Sequence, residues 1–355
     1  MMKVGIAGAG LVGRLLAWRL ARAGHSVSLF DADSKTGEQA AGTTAAAMIS
    51  PFAELAVSEP EVFRLGMISL ATYPQWMAEL EHDSGCSVMY RHNGSLAVAH
   101  APDVSSLCHF QDLLLHRLPA EHSQAVQVLS GADIDAYEPA LAGRFRQGIL
   151  LAEEAQVDNA ELFMALQAAL TRLGVVWHEQ TPVLSLQEQR LQTAAGWQHF
   201  DLVVDARGVG AKQHLQVRGV RGEVLTVDAP EVTLQRPVRL MHPRYMLYVV
   251  PRANHRFIIG ATELESEDKS SVTVRSALEL LSALYSLHSG FAEANIVKWS
   301  VNLRPALPDN LPFVGWKAGV LTINGLYRHG YLLAPACVEE SMALVVKYMA
   351  LHYRV

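Results

Sequence analysis

Residues 3–13 read Lys-Val-Gly-Ile-Ala-Gly-Ala-Gly-Leu-Val-Gly, a short β-branched run that passes into closely spaced glycines. Lys3 to Ala7 predicts a strand, Leu11 to Ala23 has helical spacing of apolar residues, and Ser26 to Phe30 predicts a second strand. Asp31 follows the second strand directly. The sequence therefore predicts a strand–helix–strand unit whose first turn is rich in glycine.

The three glycines of this turn match the dinucleotide-binding pattern. Gly8 permits a tight turn, Gly10 lets a pyrophosphate approach the main chain, and Gly13 lets helix and strand pack closely. Asp31 is placed to bind ribose hydroxyls, and its charge would repel a 2′-phosphate, which disfavours NADP. The pattern does not choose between NAD and FAD, and an ordinary tight turn without a ligand is the alternative.

Composition excludes several classes of protein. The 355 residues suggest about two structural units, and 50% hydrophobic with 18% charged residues indicates a globular chain. A net charge of −6 gives no positive field for nucleic acid or an anionic membrane, and no apolar run is long enough to span a bilayer. Three widely spaced cysteines fit no disulfide framework or zinc site. We expect a soluble cytoplasmic protein with reduced, buried thiols.

Three segments after the glycine turn suggest further structure. Gly42–Met48 consists of small side chains that would let the backbone lie against a bulky ligand, although a helical alanine run explains it equally well. Ser58–Glu61 has the pattern of a capping box that opens a long helix to about Leu80. Val88–His92 and Ser95–Ala99 then predict a hairpin with a tight Asn-Gly turn.

The pattern alternates again in the rest of the chain. Asn159–Leu173, Gly174–His178 and Leu202–Ala206 repeat the helix and strand series of the N-terminus. Residues 222–301 are predicted to be rich in strands. Residues 245–250 and 256–260 are predicted to form neighbouring strands, and Val274–Leu287 is predicted to form a helix. Val320–Asn324 predicts a strand that leads into a C-terminal helix. Two domains interwoven along the chain explain this alternation.

Further motifs follow the N-terminal glycine unit in a fixed order: Thr43–Met48, Thr181–Val183, Val203–Gly208, Tyr248–Arg252, Gly260–Thr262, Leu303–Pro305 and Gly325–Pro335. In this order they resemble the D-amino acid oxidase superfamily of FAD-dependent oxidoreductases, and most closely its bacterial glycine oxidases of thiamine biosynthesis. The resemblance implies an α/β fold, with a Rossmann-like FAD-binding domain interleaved with an antiparallel-sheet substrate domain. We assign residues 1–80, 145–215 and 298–355 to the FAD-binding domain, and 81–144 and 216–297 to the substrate-binding domain.

The resemblance also implies that the cofactor is FAD. The attachment is expected to be noncovalent, because no cysteine lies near Arg304 to Pro312. Taken alone, a histidine beside a glycine, as at His329, is more typical of a solvated turn than of a catalyst. The residues expected to contact the cofactor are Gly8, Gly10, Leu11, Val12, Gly13, Asp31, Ala32, Thr43, Thr44, Ala47, Met48, Val183, Ala206, Gly208, His329, Gly330, Tyr331 and Leu332.

Three residues are implied to act on the substrate. Arg304 would pair with the substrate carboxylate, because a planar guanidinium offers two parallel donors, and the hydroxyl of Tyr248 would assist it. The backbone carbonyl of Arg328 would accept a hydrogen bond from the amine. A surface ion pair for Arg304 and a core ring for Tyr248 are the alternatives. We assign no side-chain base, since hydride transfer to flavin, the usual mechanism of the family, depends on positioning and desolvation.

The expected substrate pocket, which includes Met48, departs from the glycine oxidases at two positions. Those enzymes have methionine after Gly-Ala-Thr and histidine two positions before the tyrosine, whereas this chain has Glu263 and Met246. A carboxylate of Glu263 inside the pocket would favour a larger or more basic amine than glycine. Glu263 turned outward from the pocket is an equal alternative, and glycine is the leading candidate.

The expected function is oxidative deamination of glycine or a similar small amino acid or secondary amine, with O2 reduced to H2O2. The alternative within the fold is a flavin dehydrogenase that uses another electron acceptor, on a larger or more basic amine. An NAD-dependent dehydrogenase and a non-enzymatic nucleotide-binding protein are more distant alternatives. We expect no nucleic acid, membrane or metal partner, and a homo-oligomer is compatible with the sequence.

Overall fold

A computed structural model describes residues 1–243 and 246–352 of the chain. The strands, in chain order, are β1 Lys3–Ala7, β2 Ser26–Phe30, β3 Met48–Ile49, β4 Tyr90–Arg91, β5 Ser95–Val98, β6 Val126–Ser130, β7 Gln147–Leu151, β8 Ala155–Val157, β9 Val176–His178, β10 Ser185–Gln187, β11 Arg190–Thr193, β12 Gly196–His199, β13 Leu202–Asp205, β14 Arg218–Asp228, β15 Val238–Met241, β16 Met246–Pro251, β17 Arg256–Gly260, β18 Asn295–Ala306, β19 Phe313–Lys317 and β20 Val320–Asn324. The α-helices are α1 Leu11–Arg22, α2 Ala41–Thr44, α3 Pro51–Leu55, α4 Pro60–Ser84, α5 Val104–Arg117, α6 Gly131–Tyr137, α7 Asn159–Arg172, α8 Val274–Leu287 and α9 Gly330–His352.

A six-stranded sheet forms one half of the fold, in the order β19-β20-β13-β1-β2-β9. Its strands are parallel except for the edge strand β19. Val4 and Ile6 of β1 are fully buried, as expected for a central strand that is covered on both faces. The predicted N-terminal strand–helix–strand unit is confirmed, since β1, α1 and β2 begin and end within one residue of the predicted bounds.

An eight-stranded sheet forms the other half, in the order β18-β14-β17-β16-β15-β5-β7-β6. It is antiparallel except where β15 pairs with β5. Leu225, Leu247 and Ile259 pack in a cluster with α8 on one face of this sheet. Because side chains alternate along a strand, Val224 and Tyr248 project from the opposite face. The predicted α/β class with an added antiparallel sheet is confirmed.

The predicted domain boundaries stay a prediction. Two strands of the large sheet lie inside segments that we assigned to the FAD-binding domain. These are β7, and the part of β18 that follows residue 297.

The predicted hairpin at residues 88–99 is wrong. β4 pairs with β8 in a small three-stranded sheet, whereas β5 joins the large sheet beside β7 and β15. Gly94 lies between them with φ of +78°, and its N–H donates to the carbonyl of Glu154. The Asn-Gly turn therefore redirects the chain from one sheet to another, and pairing with 147–157 replaces pairing across the turn.

The predicted capping box at Ser58–Glu61 is also wrong. α4 begins at Pro60, and its preceding residue Glu59 makes no side-chain cap. The hydroxyl of Ser58 instead donates to Glu54 Oε2 at 3.1 Å, which leaves it unavailable to the helix. The C-terminal end of α4 is well formed, since Gly85 adopts the left-handed conformation that ends many helices.

The C-terminal helix α9 packs against α1 and α4 beside the six-stranded sheet. It contains Cys337, which is buried, while Cys86 is half-buried and Cys108 is exposed. All three thiols are free, but the expectation that all are buried is wrong, because Cys108 lies on the outer side of α5. Within residues 1–243 and 246–352, no helix combines the length and apolarity that crossing a membrane requires.

Candidate active site

A cavity of about 760 Å3 extends from the glycine turn after β1 to the inner face of the large sheet. Residues of the turn, among them Gly10, line one end of it, and Arg304 and Tyr248 line the other. The volume is within the range of ligand-binding cavities in proteins. A single elongated ligand could therefore contact both sheets.

The glycine turn leaves room for a phosphate. Gly8 has φ of +100°, and a Cβ there would lie 2.4 Å from the carbonyl oxygen of Ala206. A Cβ on Gly13 would lie 1.8 Å from the carbonyl oxygen of Gly8, so α1 approaches the turn closely. A Cβ on Gly10 would meet nothing within 4 Å, because this residue borders the open cavity at the start of α1. Backbone N–H groups at a helix start suit a pyrophosphate, so the turn fits a dinucleotide cofactor.

Asp31 lies beside the turn at the end of β2. Its Oδ2 accepts a hydrogen bond from the N–H of Ala9, and its Oδ1 accepts one from the N–H of Asp33 at 2.8 Å. These bonds fix the carboxylate at the cavity wall, next to Ala32. Its position suits the ribose of a dinucleotide, as the sequence pattern predicts.

Most residues that we expected at the site border this cavity. Those that line it are Gly8, Gly10, Leu11, Val12, Asp31, Ala32, Thr44, Ala47, Met48, Ala206, Gly208, Tyr248, Glu263, Arg304, Arg328, His329, Gly330, Tyr331 and Leu332. Gly13, Thr43 and Val183 do not line it. The hydroxyl of Thr43 donates to the carbonyl of Ala40, and Val183 packs with Phe30. The side chain of Met246 lies outside the described part of the structure.

Arg304 projects from β18 across Gly222 of the neighbouring strand β14. Its guanidinium donates from Nη2 to the carbonyl of Thr262 at 3.0 Å, and from Nη1 to the carbonyl of Arg221 at 3.3 Å. A Cβ on Gly222 would lie 2.5 Å from Nη2, so only glycine leaves space for this position. No carboxylate among the described residues forms an ion pair with Arg304. The cavity therefore contains a guanidinium with no ion-paired carboxylate among the described residues, and its charge acts on Glu263 only at longer range, where it helps to lower the pKa of that acid.

Tyr248 lies on the same face of the sheet as Arg304. Its hydroxyl reaches over Gly260, where a Cβ would lie 2.5 Å from the oxygen. Burial raises the pKa of Tyr248 above its ordinary value, although the charge of Arg304 opposes this. The hydroxyl is therefore protonated at neutral pH and can donate a hydrogen bond beside Arg304.

Arg328 is bound by two carboxylates. Its Nη2 donates to Glu54 Oε2 at 2.7 Å, and its Nη1 donates to Glu263 Oε2 at 3.0 Å. Tyr327 donates its hydroxyl to the other oxygen of Glu263. Burial alone would raise the pKa of Glu263, but the bond from Tyr327 and the charge of Arg328 outweigh it and lower the pKa. Glu263 therefore lines the cavity as an ionised group whose partners belong to the protein.

His329 is buried, so the interpretation as a solvated turn residue is wrong. Its Nε2 lies 3.0 Å from Glu54 Oε2 and 3.2 Å from the hydroxyl of Ser58. Glu54 belongs to the short α3. His329 thus connects the loop before α9 to Glu54.

Glu54 was missed by the sequence reasoning, although it is the acid most closely held at the site. Burial would raise the pKa of Glu54, but Arg328 and His329 hold it well below the ordinary value of 4.5. A depressed carboxyl pKa stabilises the fold above the unfolded value, and the stabilisation is lost as the pH falls through the folded value.

We therefore expect Glu54→Gln to lower the stability by about 2 kcal/mol at pH 7. The difference in thermal midpoint from the unmodified protein should be constant above about pH 5 and should begin to shrink below about pH 4.5, because the carboxyl of Glu54 takes up a proton in the unfolded chain there while the folded form stays ionised to lower pH. Glu61→Gln is the control, because Glu61 pairs with Arg64 on the exposed side of α4 and should contribute little. A difference that does not change down to pH 3 would contradict this assignment.

Arg239 is the second residue that the sequence reasoning missed. It lines the cavity from β15, is only 7% exposed, and lies directly opposite Tyr248 in the strand pairing. A basic residue inside the short apolar strand Val238–Met241 is the signal that could have identified it. Likewise, an acid within the apolar α3 could have identified Glu54.

No cluster of three or more His, Cys, Asp or Glu side chains that could hold a metal ion occurs within the described residues. The polar groups that line the cavity include arginines, hydroxyls, amides and acids that already accept hydrogen bonds from protein groups. They suit an organic cofactor and a small anion.

Comparisons with known proteins agree with the fold and the glycine turn. The family DAO, described as FAD dependent oxidoreductase, matches residues 3–341. A Rhizobium etli protein named as a thiamine biosynthesis oxidoreductase, ThiO, is 37% identical over 346 residues, which cover 96% of this chain and 95% of the relative. Glycine oxidase of Geobacillus kaustophilus is 28% identical over 349 residues, which cover 94% of this chain and 89% of the relative.

A solved structure extends this similarity to the backbone. The crystal structure of glycine oxidase from Geobacillus kaustophilus has a TM-score of 0.85 and 26% sequence identity, and the match covers 98% of this chain and 95% of that one. The family match spans nearly the whole chain and includes the glycine turn, Asp31 and Arg304. The chain therefore belongs to the DAO family of FAD-dependent oxidoreductases, and it is an enzyme whose cofactor is FAD.

Proposed function

We propose that the enzyme oxidises glycine, or a similar small amino acid or secondary amine, to its imine. The overall reaction removes two electrons and two protons from the amino acid and reduces O2 to H2O2, and hydrolysis of the imine gives the 2-oxo acid and an amine or ammonia. The observation that carries the proposal is the guanidinium of Arg304, which lines the cavity and forms no ion pair with a described carboxylate. The names of the glycine oxidase and ThiO relatives support the same reaction and a link to thiamine biosynthesis.

FAD, when bound, supplies the acceptor for the two electrons. The protein residues bind and orient the amino acid. Arg304 would bind the carboxylate through two parallel hydrogen bonds, and the protonated hydroxyl of Tyr248 would donate a further one. The backbone carbonyl of Arg328 would accept a hydrogen bond from the amine. This three-point contact would fix the Cα–H bond, which is the main contribution that positioning can make to the rate.

The proposed cofactor contacts are the predicted residues that line the cavity, with the glycine turn and Asp31 on the dinucleotide and residues 328–332 near the ring. The helix start at Gly330 would favour negative charge on the ring, because backbone N–H groups at a helix start carry partial positive charge. Attachment is proposed to be noncovalent, since none of Cys86, Cys108 and Cys337 lines the cavity.

The position of Glu263 favours a small neutral amine as the substrate. Its carboxylate already accepts hydrogen bonds from Tyr327 and Arg328, so it is not free to bind a basic side chain. Removing it from these partners would take one of two carboxylates from Arg328 and leave the hydroxyl of Tyr327 without its acceptor, which is costly. We therefore place glycine and N-methylated or N-alkylated glycine ahead of lysine-like or arginine-like substrates.

Anaerobic addition of amino acids to the purified holoenzyme tests the proposal. We expect glycine or sarcosine to bleach the flavin absorption band, and air to restore it with one H2O2 released per turnover. Lysine and arginine should leave the band unchanged. Bleaching that a quinone or dye reverses and oxygen does not would favour a dehydrogenase. A band that no small amino acid bleaches would contradict the proposed reaction.

A further inference from the structure

Arg14 is a fully buried cation in the first turn of α1, one position after Gly13 of the glycine turn. Its guanidinium carbon lies 4.8 Å from the ring centroid of Phe163 and 5.0 Å from that of Trp177, so two aromatic rings face it. Burial lowers the pKa of Arg14 to about 10, against the attraction of nearby acids, and the group is still charged at neutral pH. An apolar side chain would fill the space between two rings at lower cost, so the charge calls for another explanation.

The guanidinium connects two stretches of backbone that both line the cavity. Its Nε donates to the carbonyl of Ala9 in the glycine turn, and its Nη2 donates to the carbonyl of Lys35, both at 2.7 Å. Lys35 belongs to residues 33–42, which we name the covering segment. This segment lines the cavity, as Ala9 does, through Asp33, Gly37, Gln39, Ala40, Ala41 and Gly42. Arg14 is therefore placed to set the distance between the glycine turn and the covering segment.

The covering segment packs directly on the guanidinium and on Phe163. Gly37 has φ of +71°, and a Cβ there would lie 2.9 Å from Nη2 of Arg14 and 3.3 Å from the ring of Phe163. A Cβ on Gly42 would lie 3.1 Å from the same ring. Neither glycine leaves room for a methyl group without a shift of its neighbours. A displacement of the Arg14 side chain would therefore displace the segment.

The other links of Lys35 to the rest of the protein are weak. Its ammonium lies 3.5 Å from a carboxylate oxygen of Glu179, and the two side chains are 38% and 43% exposed. Its N–H donates to the same carboxylate at 3.2 Å, again in an exposed position. Exposed ion pairs contribute little to stability, whereas a hydrogen bond from a buried cation contributes more. The bond from Arg14 is therefore the strongest of these links.

We propose that Arg14 is a positioning residue for FAD. It holds the covering segment against the glycine turn, so that the walls around the diphosphate and ribose are in place before the cofactor binds. Preorganised walls raise the affinity, because less order has to be gained on binding. Arg14 does not line the cavity, so it acts through the backbone that it binds and not by touching the cofactor. The inference requires FAD, the cofactor of the family, and holds whichever amino acid is oxidised.

Arg14→Lys tests the inference with Arg19→Lys as its matched control. Lysine keeps the charge but lacks the planar fork of donors. We expect Arg14→Lys to weaken FAD binding about tenfold, measured by quenching of flavin fluorescence on reconstitution, as the loss of one hydrogen bond to a charged group predicts. Arg19 lies on the same helix and also faces two rings, but it pairs with Glu79 away from the cavity, so its variant should bind FAD within about twofold of the unmodified protein. Unchanged affinity in Arg14→Lys would overturn the inference.

Trypsin reports the position of the covering segment directly, because it cuts the bond after Lys35, whose carbonyl Arg14 holds. In protein stripped of FAD, we expect the fragment 1–35 to form about tenfold faster in Arg14→Lys than in the unmodified protein, and bound FAD to slow its formation. Mass spectrometry gives this rate relative to cleavage at other sites. A merely structural role would speed cleavage at all sites alike. Weaker FAD binding without faster relative cleavage after Lys35 would overturn the inference.

Gly37→Ala displaces the covering segment while Arg14 stays in place. Gly37 lies in a loop between the exposed residues Thr36 and Glu38, so the variant should fold. We expect weaker FAD binding and faster cleavage after Lys35, because the methyl group would press on the guanidinium. Gly24→Ala is the control, since Gly24 also has positive φ, of +82°, but a Cβ there would meet nothing within 4 Å. Normal FAD affinity in Gly37→Ala would overturn the inference even if Arg14→Lys failed to fold.

Discussion

Replacing Arg304 with methionine should lower kcat/KM for glycine by about a thousandfold while FAD remains bound. The guanidinium lines the cavity, offers two parallel donors and forms no ion pair with a described carboxylate. Removing it would leave the substrate carboxylate partly desolvated and unpaired, which typically costs several kcal/mol. Methionine fills similar space, so the strand should be retained. Steady-state peroxide release, with FAD content from the absorption spectrum, measures both effects.

Two further variants separate the chemistry of Arg304 from general damage to the sheet. Arg256→Met is the control, because Arg256 lies on β17 of the same sheet and pairs with Asp228 at the surface. It should keep nearly full activity. Gly222→Ala introduces a methyl group where the guanidinium lies, so it should displace Arg304 and lower kcat/KM at least tenfold without touching substrate. Full activity of Arg304→Met would refute the proposed carboxylate contact.

Alanine substitutions at two glycines of the first turn should produce different defects, one in the stability of the fold and one in FAD binding alone. A methyl group on Gly13 would lie 1.8 Å from a backbone oxygen of Gly8, so α1 would have to move away from β1. We expect Gly13→Ala to lose about 3 kcal/mol or more of stability with or without FAD. A methyl group on Gly10 would meet no protein atom, so Gly10→Ala should fold normally. It should nevertheless weaken FAD binding by about a hundredfold, because the methyl group occupies the space proposed for the pyrophosphate.

The two effects can be measured on the same preparations. The thermal midpoint of protein stripped of FAD reports the fold, and quenching of flavin fluorescence on reconstitution reports the affinity for FAD. Gly10→Ala should change only the second quantity, and Gly13→Ala should change both. Normal FAD affinity in Gly10→Ala would show that the phosphates do not lie over this residue.

The N-terminal unit could be predicted nearly to the residue because its signals are local. Short β-branched and apolar runs, helical spacing and the glycine turn occur within about 30 residues, and the structure places β1, α1 and β2 accordingly. The helix Val274–Leu287 has the predicted bounds for the same reason. Motif order along the chain predicted the FAD cofactor, and Arg304 lies at the cavity where that order implies it.

The parts that could not be predicted depend on contacts between distant segments. Glu54 and Arg328 are 274 positions apart, and no local pattern connects them. The hairpin at residues 88–99 was wrong because both strands find their partners in residues 147–157. The orientation of Glu263 could not be chosen from spacing, and the structure shows that it depends on Tyr327 and Arg328.

The long strand β18 carries a constraint on chain length. The pairing of β14 with β18 shifts register once, between Thr226 and Val227 of β14. From that shift to Arg304 and on to the end of β18, the pairing is continuous. Successive residues of a strand face opposite sides, so one residue gained or lost between the shift and Arg304 would turn its side chain to the far face. A change at the outer end, near Asn295, can be absorbed by the irregularity. Insertions and deletions among related oxidases should therefore lie between the start of β18 and the register shift, and should be nearly absent between the shift and Arg304.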